Sequence, residues 1–184
     1  MSSYPTPSEY QEALQAPAVA FADPELQDST PRTNALGLPQ PITGSFAAVF
    51  PVTTDPGGRY AVKCFLSERP AQHARYEAVA EALDAVDHDA FVEFAYQPEG
   101  ISVRGDAYPL LKMEWTGGTT LNRFVEDHLD RPDVLDRLVE AWARLMAALE
   151  DMDLAHGDLQ HGNVLVETAG EALRLRLVDY DAMY

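Results

Sequence analysis

Apolar and polar positions change their period along the chain, and the changes divide it into a strand-rich stretch followed by a helical one. In Ile42–Val52, small residues at Gly44-Ser45 precede a β-type run, which predicts a hairpin. Asp55-Pro56-Gly57-Gly58 is a turn signal, and Arg59–Phe65 alternates as the next strand. Ser67–Val86 is predicted helical, with Ser67 as N-cap and Glu68 in the first turn. Ala74, Glu77, Ala78, Glu81 and Ala82 fall at three- and four-residue spacing along it. Phe91–Tyr96 alternates again, Gln97-Pro98-Glu99-Gly100 predicts a turn, and Ile101–Val103 resumes the strand. Arg104-Gly105-Asp106 turns, and Tyr108–Trp115 is the last strand before a Gly-rich connector, Thr116–Thr120. Beyond it, Leu121–His128 reads as a short helix and Arg131–Asp151 as a long one. Val134, Leu138, Ala141, Trp142, Leu145 and Leu149 form the apolar stripe of the long helix. A polar loop, a strand at Val164–Val166, a turn at Ala169-Gly170 and a strand at Leu173–Val178 complete the pattern. Residues 1–41 carry many prolines and predict an extended lead-in that wraps a surface, with one short helix, Ser8–Leu14, capped by Ser8. The expectation is an α+β chain: lead-in 1–41, an antiparallel β half with one helix at 42–115, and a connector with a helical half at 116–184.

Composition narrows the classes. Hydrophobic residues make up 46%, enough for a packed core. A net charge of −17 disfavours nucleic acid and anionic membrane as partners, since both require basic patches. The only lysines are Lys63 and Lys112, against eleven arginines. A single cysteine, Cys64, rules out an intrachain disulfide and fits a reducing compartment. Met1–Glu12 lacks the basic and apolar regions of a signal peptide, and no run of about 18 apolar residues exists. A cytoplasmic location is expected.

Candidate chemistry concentrates in Ala155–Val166. His156-Gly157-Asp158-Leu159-Gln160-His161-Gly162-Asn163 has the spacing His-x-Asp-x-x-x-x-Asn, and Asp179 follows sixteen residues after Asn163. An Asp and an Asn five apart on a loop, with a second Asp after the next strand, can converge as a magnesium–nucleotide site. The two imidazoles are too few for a zinc centre, and His156 is expected to bond backbone beneath the loop. Lys63 ends an alternating strand that can aim its charge inward.

The chain resembles the protein kinase-like superfamily from about residue 40 onward. The resemblance is closest to a bacterial serine/threonine kinase-like branch, marked by Lys112-Met113-Glu114-Trp115, the His156–Asn163 loop and Val178-Asp179-Tyr180-Asp181. The His-Gly-Asp-Leu spelling is also similar to aminoglycoside- and choline-type small-molecule kinases. The resemblance implies a protein kinase-like two-lobe fold with an antiparallel β N-lobe and a partial helical C-lobe. It implies ATP and Mg²⁺ as ligands and a hydroxyl-bearing protein or small molecule as acceptor. Asp158 would be the catalytic carboxylate, Lys63 in Tyr60-Ala61-Val62-Lys63 would grip phosphates, and Glu77 would pair with Lys63. Ile42-x-Gly44-x-x-Ala47-x-Val49 resembles a degraded phosphate loop, with backbone N–H groups at Ser45–Ala47, and Val49 and Ala61 beside the nucleotide. Met113 would be the gatekeeper, backbone groups of Glu114 and Thr116 would meet the adenine edge, and Thr120 or Asn122 the ribose. Asn163 and Asp179 would hold the metal.

Departures from the family are equally specific. Gly157 replaces the Arg of regulated protein kinases, Gln160 the Lys that steadies the γ-phosphate, and Asp181 the Gly of the metal motif. The activation segment and later helices that present a peptide substrate are expected to be missing, as in a fragment of a longer protein or a reduced kinase-like module. That would leave apolar surface near Trp142 on the long helix for association. Three functions stay open: a serine/threonine protein kinase-like phosphotransferase, a small-molecule kinase, and a nucleotide-binding, pseudokinase-like interaction module.

Overall fold

The computed structural model describes residues 4–68, 71–86, 88–170 and 172–183. It is mixed α+β with antiparallel sheets and divides into two compact units, Met1–Glu77 with Glu93–Trp115, and Ala78–Val92 with Thr116–Tyr184.

The first unit begins with three short helices, α1 (Pro7–Ala13), α2 (Pro17–Ala20) and α3 (Pro24–Gln27). Each starts on proline, whose fixed φ suits the first helical turn and whose missing N–H would be unpaired there anyway. The cap of α1 is Thr6, not Ser8: Thr6 accepts from the Glu9 N–H while the Glu9 carboxylate accepts from the Thr6 N–H, a reciprocal box. The expected extended lead-in is therefore largely helical in its first half. Its Tyr10, Leu14, Phe21 and Leu26 are almost fully buried, each contributing about 1.5–3 kcal/mol relative to an exposed side chain.

These helices cover one face of a six-stranded sheet built from β1 (Thr30–Pro31), β2 (Ile42–Thr43), β3 (Ala47–Thr54), β4 (Gly58–Phe65), β5 (Phe94–Val103) and β6 (Asp106–Glu114). The order is β1-β3-β4-β6-β5, with β2 also on β3. Side chains alternate between faces along each strand. Ala48, Phe50, Val52, Val62, Cys64 and Leu110 face the helices and form the core. The turn expected at Gln97–Gly100 is instead a register shift inside continuous β5. An edge strand tolerates Pro98, which has no N–H to donate. Gly100 is required where a Cβ would come within 2.5 Å of Leu110 Cγ.

Lys112 sits on the helix-covered face and anchors the arm. Its Nζ donates to Asp23 at 2.9 Å and Glu25 at 2.6 Å, Gln97 donates to Asp23, and Tyr60 donates to Glu25. Burial acts to raise the Asp23 carboxyl, but hydrogen bonds from Lys112, Gln97 and the Glu25 N–H hold it below its ordinary range. The Lys112 hydrogen bond, then that of Tyr60, lowers Glu25. Burial acts to lower Lys112, and the two carboxylates outweigh it and raise it. Lys112→Met should cost roughly 2 kcal/mol, because two partly desolvated carboxylates lose their cation. Carboxyls with depressed pKa stabilise the fold above their unfolded values near pH 4 and lose that contribution as pH falls through the folded ones. The stability gap between wild type and Lys112→Met, measured by denaturant titration, should be constant near neutrality and close below about pH 4.

Helix α4 (Gln72–Val86) begins later than predicted. Ser67 and Glu68 are not helical, Arg69 and Pro70 lie outside the described residues, and Ala71 has φ +56. The spaced Ala74, Glu77, Ala78 and Glu81 are exposed, while Tyr76 and Val79 are buried.

The second unit contains β7 (Thr119–Thr120), α5 (Leu121–Asp127), α6 (Pro132–Asp151), β8 (Val164–Ala169) and β9 (Ala172–Leu177), the strands forming the sheet β7-β8-β9. Val134, Leu138, Ala141, Leu145 and Leu149 of α6 are buried as the stripe predicted, Trp142 is half-buried, and Val139 is exposed. The connector is not loose: Thr116 Oγ1 donates to Glu167 at 2.5 Å, and β7 pairs with β8. Gly118 fits where a Cβ would come within 2.8 Å of Leu165 Cβ. No helix among the described residues is long and apolar enough to cross a membrane.

Candidate functional site

In the first unit, the residues expected to meet a nucleotide share the sheet face opposite the N-terminal helices. Val49 pairs with Lys63 and Lys63 with Leu111, while Ala61 pairs with Met113. Cross-strand partners point to the same side, as do residues two apart along a strand. Ala47, Val49, Ala61, Lys63 and Met113 therefore share one surface. Lys63 is 8% exposed, with Nζ 5.9 Å from the Phe65 ring centroid. Tyr76 packs at the β5 side of this face, stacked on Tyr96 with ring centroids 5.3 Å apart.

The β2–β3 tip is closed by the Gly44 N–H donating to Ala47 O at 2.9 Å, with Gly44 and Ser45 exposed. A Cβ at Gly44 would meet nothing closer than Ala47 O at 3.7 Å, so the fold itself does not demand glycine there. The Glu114 N–H is engaged by Glu93 O at 2.9 Å. The expected pairing of Glu77 with Lys63 is not made. Glu77 is exposed, and its carboxylate engages His73 Nε2 at 3.1 Å, one turn back on α4. An i,i+4 partner on the same solvated helix face satisfied the glutamate locally.

In the second unit, the loop between α6 and β8 is organised around Asp158. Asn163 Nδ2 donates to the Asp158 carbonyl oxygen and to Asp158 Oδ2, both at 3.0 Å, and Gln160 Nε2 donates to the same Oδ2 at 3.0 Å. Two carboxamides thus hold one carboxylate oxygen, while Asp158 itself is exposed. With its nitrogen committed to Asp158, the buried Asn163 side chain keeps its oxygen for another partner. The Val178 N–H donates to Asn163 O at 3.0 Å, which ties the residue before Asp179 to the loop. Asp179 has φ +67, a left-handed conformation that Asp tolerates better than most residues, and the chain turns there into the 3-10 turn Tyr180–Ala182.

His156, 1% exposed, lies beneath this arrangement, as expected for a structural imidazole. Because Val178 O can only accept, Nε2 carries the proton in their 3.1 Å hydrogen bond, and Nδ1 is left buried without a partner. Burial lowers the imidazole pKa, outweighing the Val178 carbonyl and the Asp179 and Asp158 carboxylates, which act to raise it. His161 is exposed and uses its carbonyl to accept from the Leu121 N–H.

No local pattern in the sequence marks Tyr180, yet it braces the segment behind Asp179. Its fully buried hydroxyl accepts from the Val92 N–H at 2.7 Å and donates to Leu177 O at 2.8 Å. This is one reason Ala78–Val92 belongs to the second unit rather than the first. Tyr180→Phe leaves the buried Val92 N–H without an acceptor, which should cost about 1–3 kcal/mol. Thermal denaturation would register the loss, and an unchanged midpoint would contradict it.

Among the described residues, no group of three or more His, Cys, Asp or Glu side chains is placed to hold a metal ion. The candidate ligand pair is Asn163 with Asp179. Two protein oxygens suit Mg²⁺, which keeps several waters and takes further ligands from phosphates. No protein-family model matches the chain, and no protein of curated function matches it significantly.

Proposed function

We propose that the protein is an ATP-dependent phosphotransferase of the kinase-like type, with a two-lobe arrangement in which the first unit is the N-lobe and the second belongs to the C-lobe. It would transfer a γ-phosphate to a hydroxyl, with protein serine or threonine as acceptor. The observation that carries this reading is the Asp158–Asn163 pair. Asn163 fixes the Asp158 carboxylate through its nitrogen and retains its oxygen, while its own carbonyl holds the strand end that leads into Asp179. Asp158 then has one oxygen immobilised and one to orient an acceptor hydroxyl. Asn163 and Asp179 would hold Mg²⁺, which supplies charge neutralisation on the phosphates. Lys63, on a face with Val49, Ala61 and Met113, would supply the fixed cation for them. In place of a lysine near the γ-phosphate, Gln160 contributes a neutral amide, so less transition-state charge is compensated and a slow enzyme is expected.

A second acceptor class, a small-molecule hydroxyl, is favoured by Gly157. A side chain there would overlap Ala182 O, so the arginine of regulated protein kinases has no place in this loop. Incubation with γ-labelled ATP, Mg²⁺ and a panel of protein and small-hydroxyl acceptors tests the proposal. Labelled product, or slow release of phosphate to water, supports transfer. A protein that binds Mg-ATP and releases no label would instead be a binding module.

A further inference from the structure

Further along the sheet face that carries Ala61 and Lys63, but lined by none of the residues assigned to phosphate transfer, the first unit has a cavity of about 440 Å³ lined in part by Thr30, Arg32, Thr33, Thr53, Arg59 and Trp115. No carboxylate lines it, although the chain has 30 acidic residues against 13 basic ones. The guanidinium groups of Arg32 and Arg59 have no ion-pair partner among the described residues, whereas Arg104, Arg123, Arg131 and Arg144 all engage carboxylates. Arg59 instead lies 5.8 Å from the Trp115 ring centroid. In so acidic a chain, two unpaired arginines at one carboxylate-free concavity mark a local reversal of the field.

We propose that this cavity binds a phosphomonoester attached to an aromatic or apolar group. Two guanidinium groups match the charge of a phosphate dianion, and arginine offers planar, bidentate donation to its oxygens. The hydroxyls of Thr30 and Thr33 add neutral donors, that of Thr53 being engaged by the Thr30 carbonyl, and the half-buried indole provides a flat surface for the ester group. The volume lies within the usual range for a small-ligand site. Addition of a peptide strand at β1 is disfavoured, since β1 is only two residues long and Pro31 lacks an N–H. The phosphomonoester could come from a small molecule or from a phosphorylated side chain that inserts only its tip. The proposal is independent of the transfer reaction, as neither arginine nor Trp115 has a part in it.

The test is calorimetric titration of the full chain at low salt with phenyl phosphate, inorganic phosphate and a phosphoserine peptide carrying a neighbouring aromatic residue. Phenyl phosphate should bind saturably, and more weakly as salt is raised. Arg32→Gln and Arg59→Gln should each weaken it roughly tenfold. Both sites are exposed, so the fold should persist, which unchanged melting temperatures would verify. Trp115→Leu should weaken phenyl phosphate more than inorganic phosphate. Tighter binding of the peptide assigns the ligand to a protein, and tighter binding of phenyl phosphate to a small molecule; both support a phosphomonoester site. Absence of saturable binding up to about 10 mM phenyl phosphate, or binding unchanged in both arginine variants, overturns the proposal.

Discussion

Replacing Gly157 by alanine is expected to destabilise the second unit by roughly 3–5 kcal/mol, the largest stability loss anticipated for a single methyl group in this chain. Two costs combine. Gly157 has φ +76, a backbone conformation that costs an L-residue about 1–2 kcal/mol. The added Cβ would also overlap the carbonyl oxygen of Ala182 and crowd its carbonyl carbon. Those are backbone atoms, so the clash cannot be relieved by a side-chain rotation. Either the loop or the 3-10 turn after Asp179 must move, and both carry candidate site residues. Gly162, in the same loop, has open space at its Cβ position and serves as the control. Gly157→Ala should lower the melting temperature by roughly 10 °C, while Gly162→Ala should leave it nearly unchanged. Equal behaviour of the two variants would show that the loop and the Ala182 turn are not packed together.

Asp158→Asn should have the opposite profile, a small effect on stability and a large one on chemistry. The replacement has the same shape, and its carbonyl oxygen can still accept from Asn163 Nδ2 and Gln160 Nε2, the two donors that hold Asp158 Oδ2. The charge that would attract and orient an acceptor hydroxyl in the proposed reaction is lost. Transfer should fall by about 10²–10⁴-fold, the usual contribution of a positioned carboxylate. ATP affinity should change little, because Asp158 is not assigned to the nucleotide or the metal. A drop in kcat with a nearly constant KM for ATP is the expected signature. Loss of ATP binding together with transfer would place Asp158 in the metal site instead.

How much of this was legible in the sequence varied with the range of the interactions. The β3–β4 hairpin was readable from Asp55-Pro56-Gly57-Gly58, and α6 from its apolar stripe, because both signals are local. Asp158 and Asn163 do hydrogen-bond, as five-residue spacing on one loop allows, while their convergence with Asp179 on a metal is part of the proposal. The lead-in departs from the expected extended chain because its buried residues are spread over three short proline-started helices and never form one periodic run. The Gln97–Gly100 segment looked like a turn, since local propensity does not reveal that an edge strand can absorb a proline and a glycine in a register shift. Family position pairs Glu77 with Lys63, whereas His73, four residues earlier, is the partner it engages. Tyr180 escaped notice because its value lies in Val92, 88 residues away. Lys112 is one of only two lysines, but nothing local marks its partners Asp23 and Glu25, 89 and 87 residues away. Arg32, Arg59 and Trp115 are too far apart in sequence to have formed a motif.

The most direct measurement is the thermal stability of the wild type and Asp179→Asn with ATP, with Mg²⁺, and with both. Asparagine is the appropriate replacement because it tolerates the φ of +67 at this position, so the fold is retained while the charge is removed. A ligand at a hundred times its Kd adds about 2.7 kcal/mol to the folded state. The wild type should therefore gain several degrees only when ATP and Mg²⁺ are both present, and Asp179→Asn should lose most of that gain. Stabilisation by ATP without metal, or an undiminished gain in Asp179→Asn, would contradict a magnesium–nucleotide site at Asn163 and Asp179.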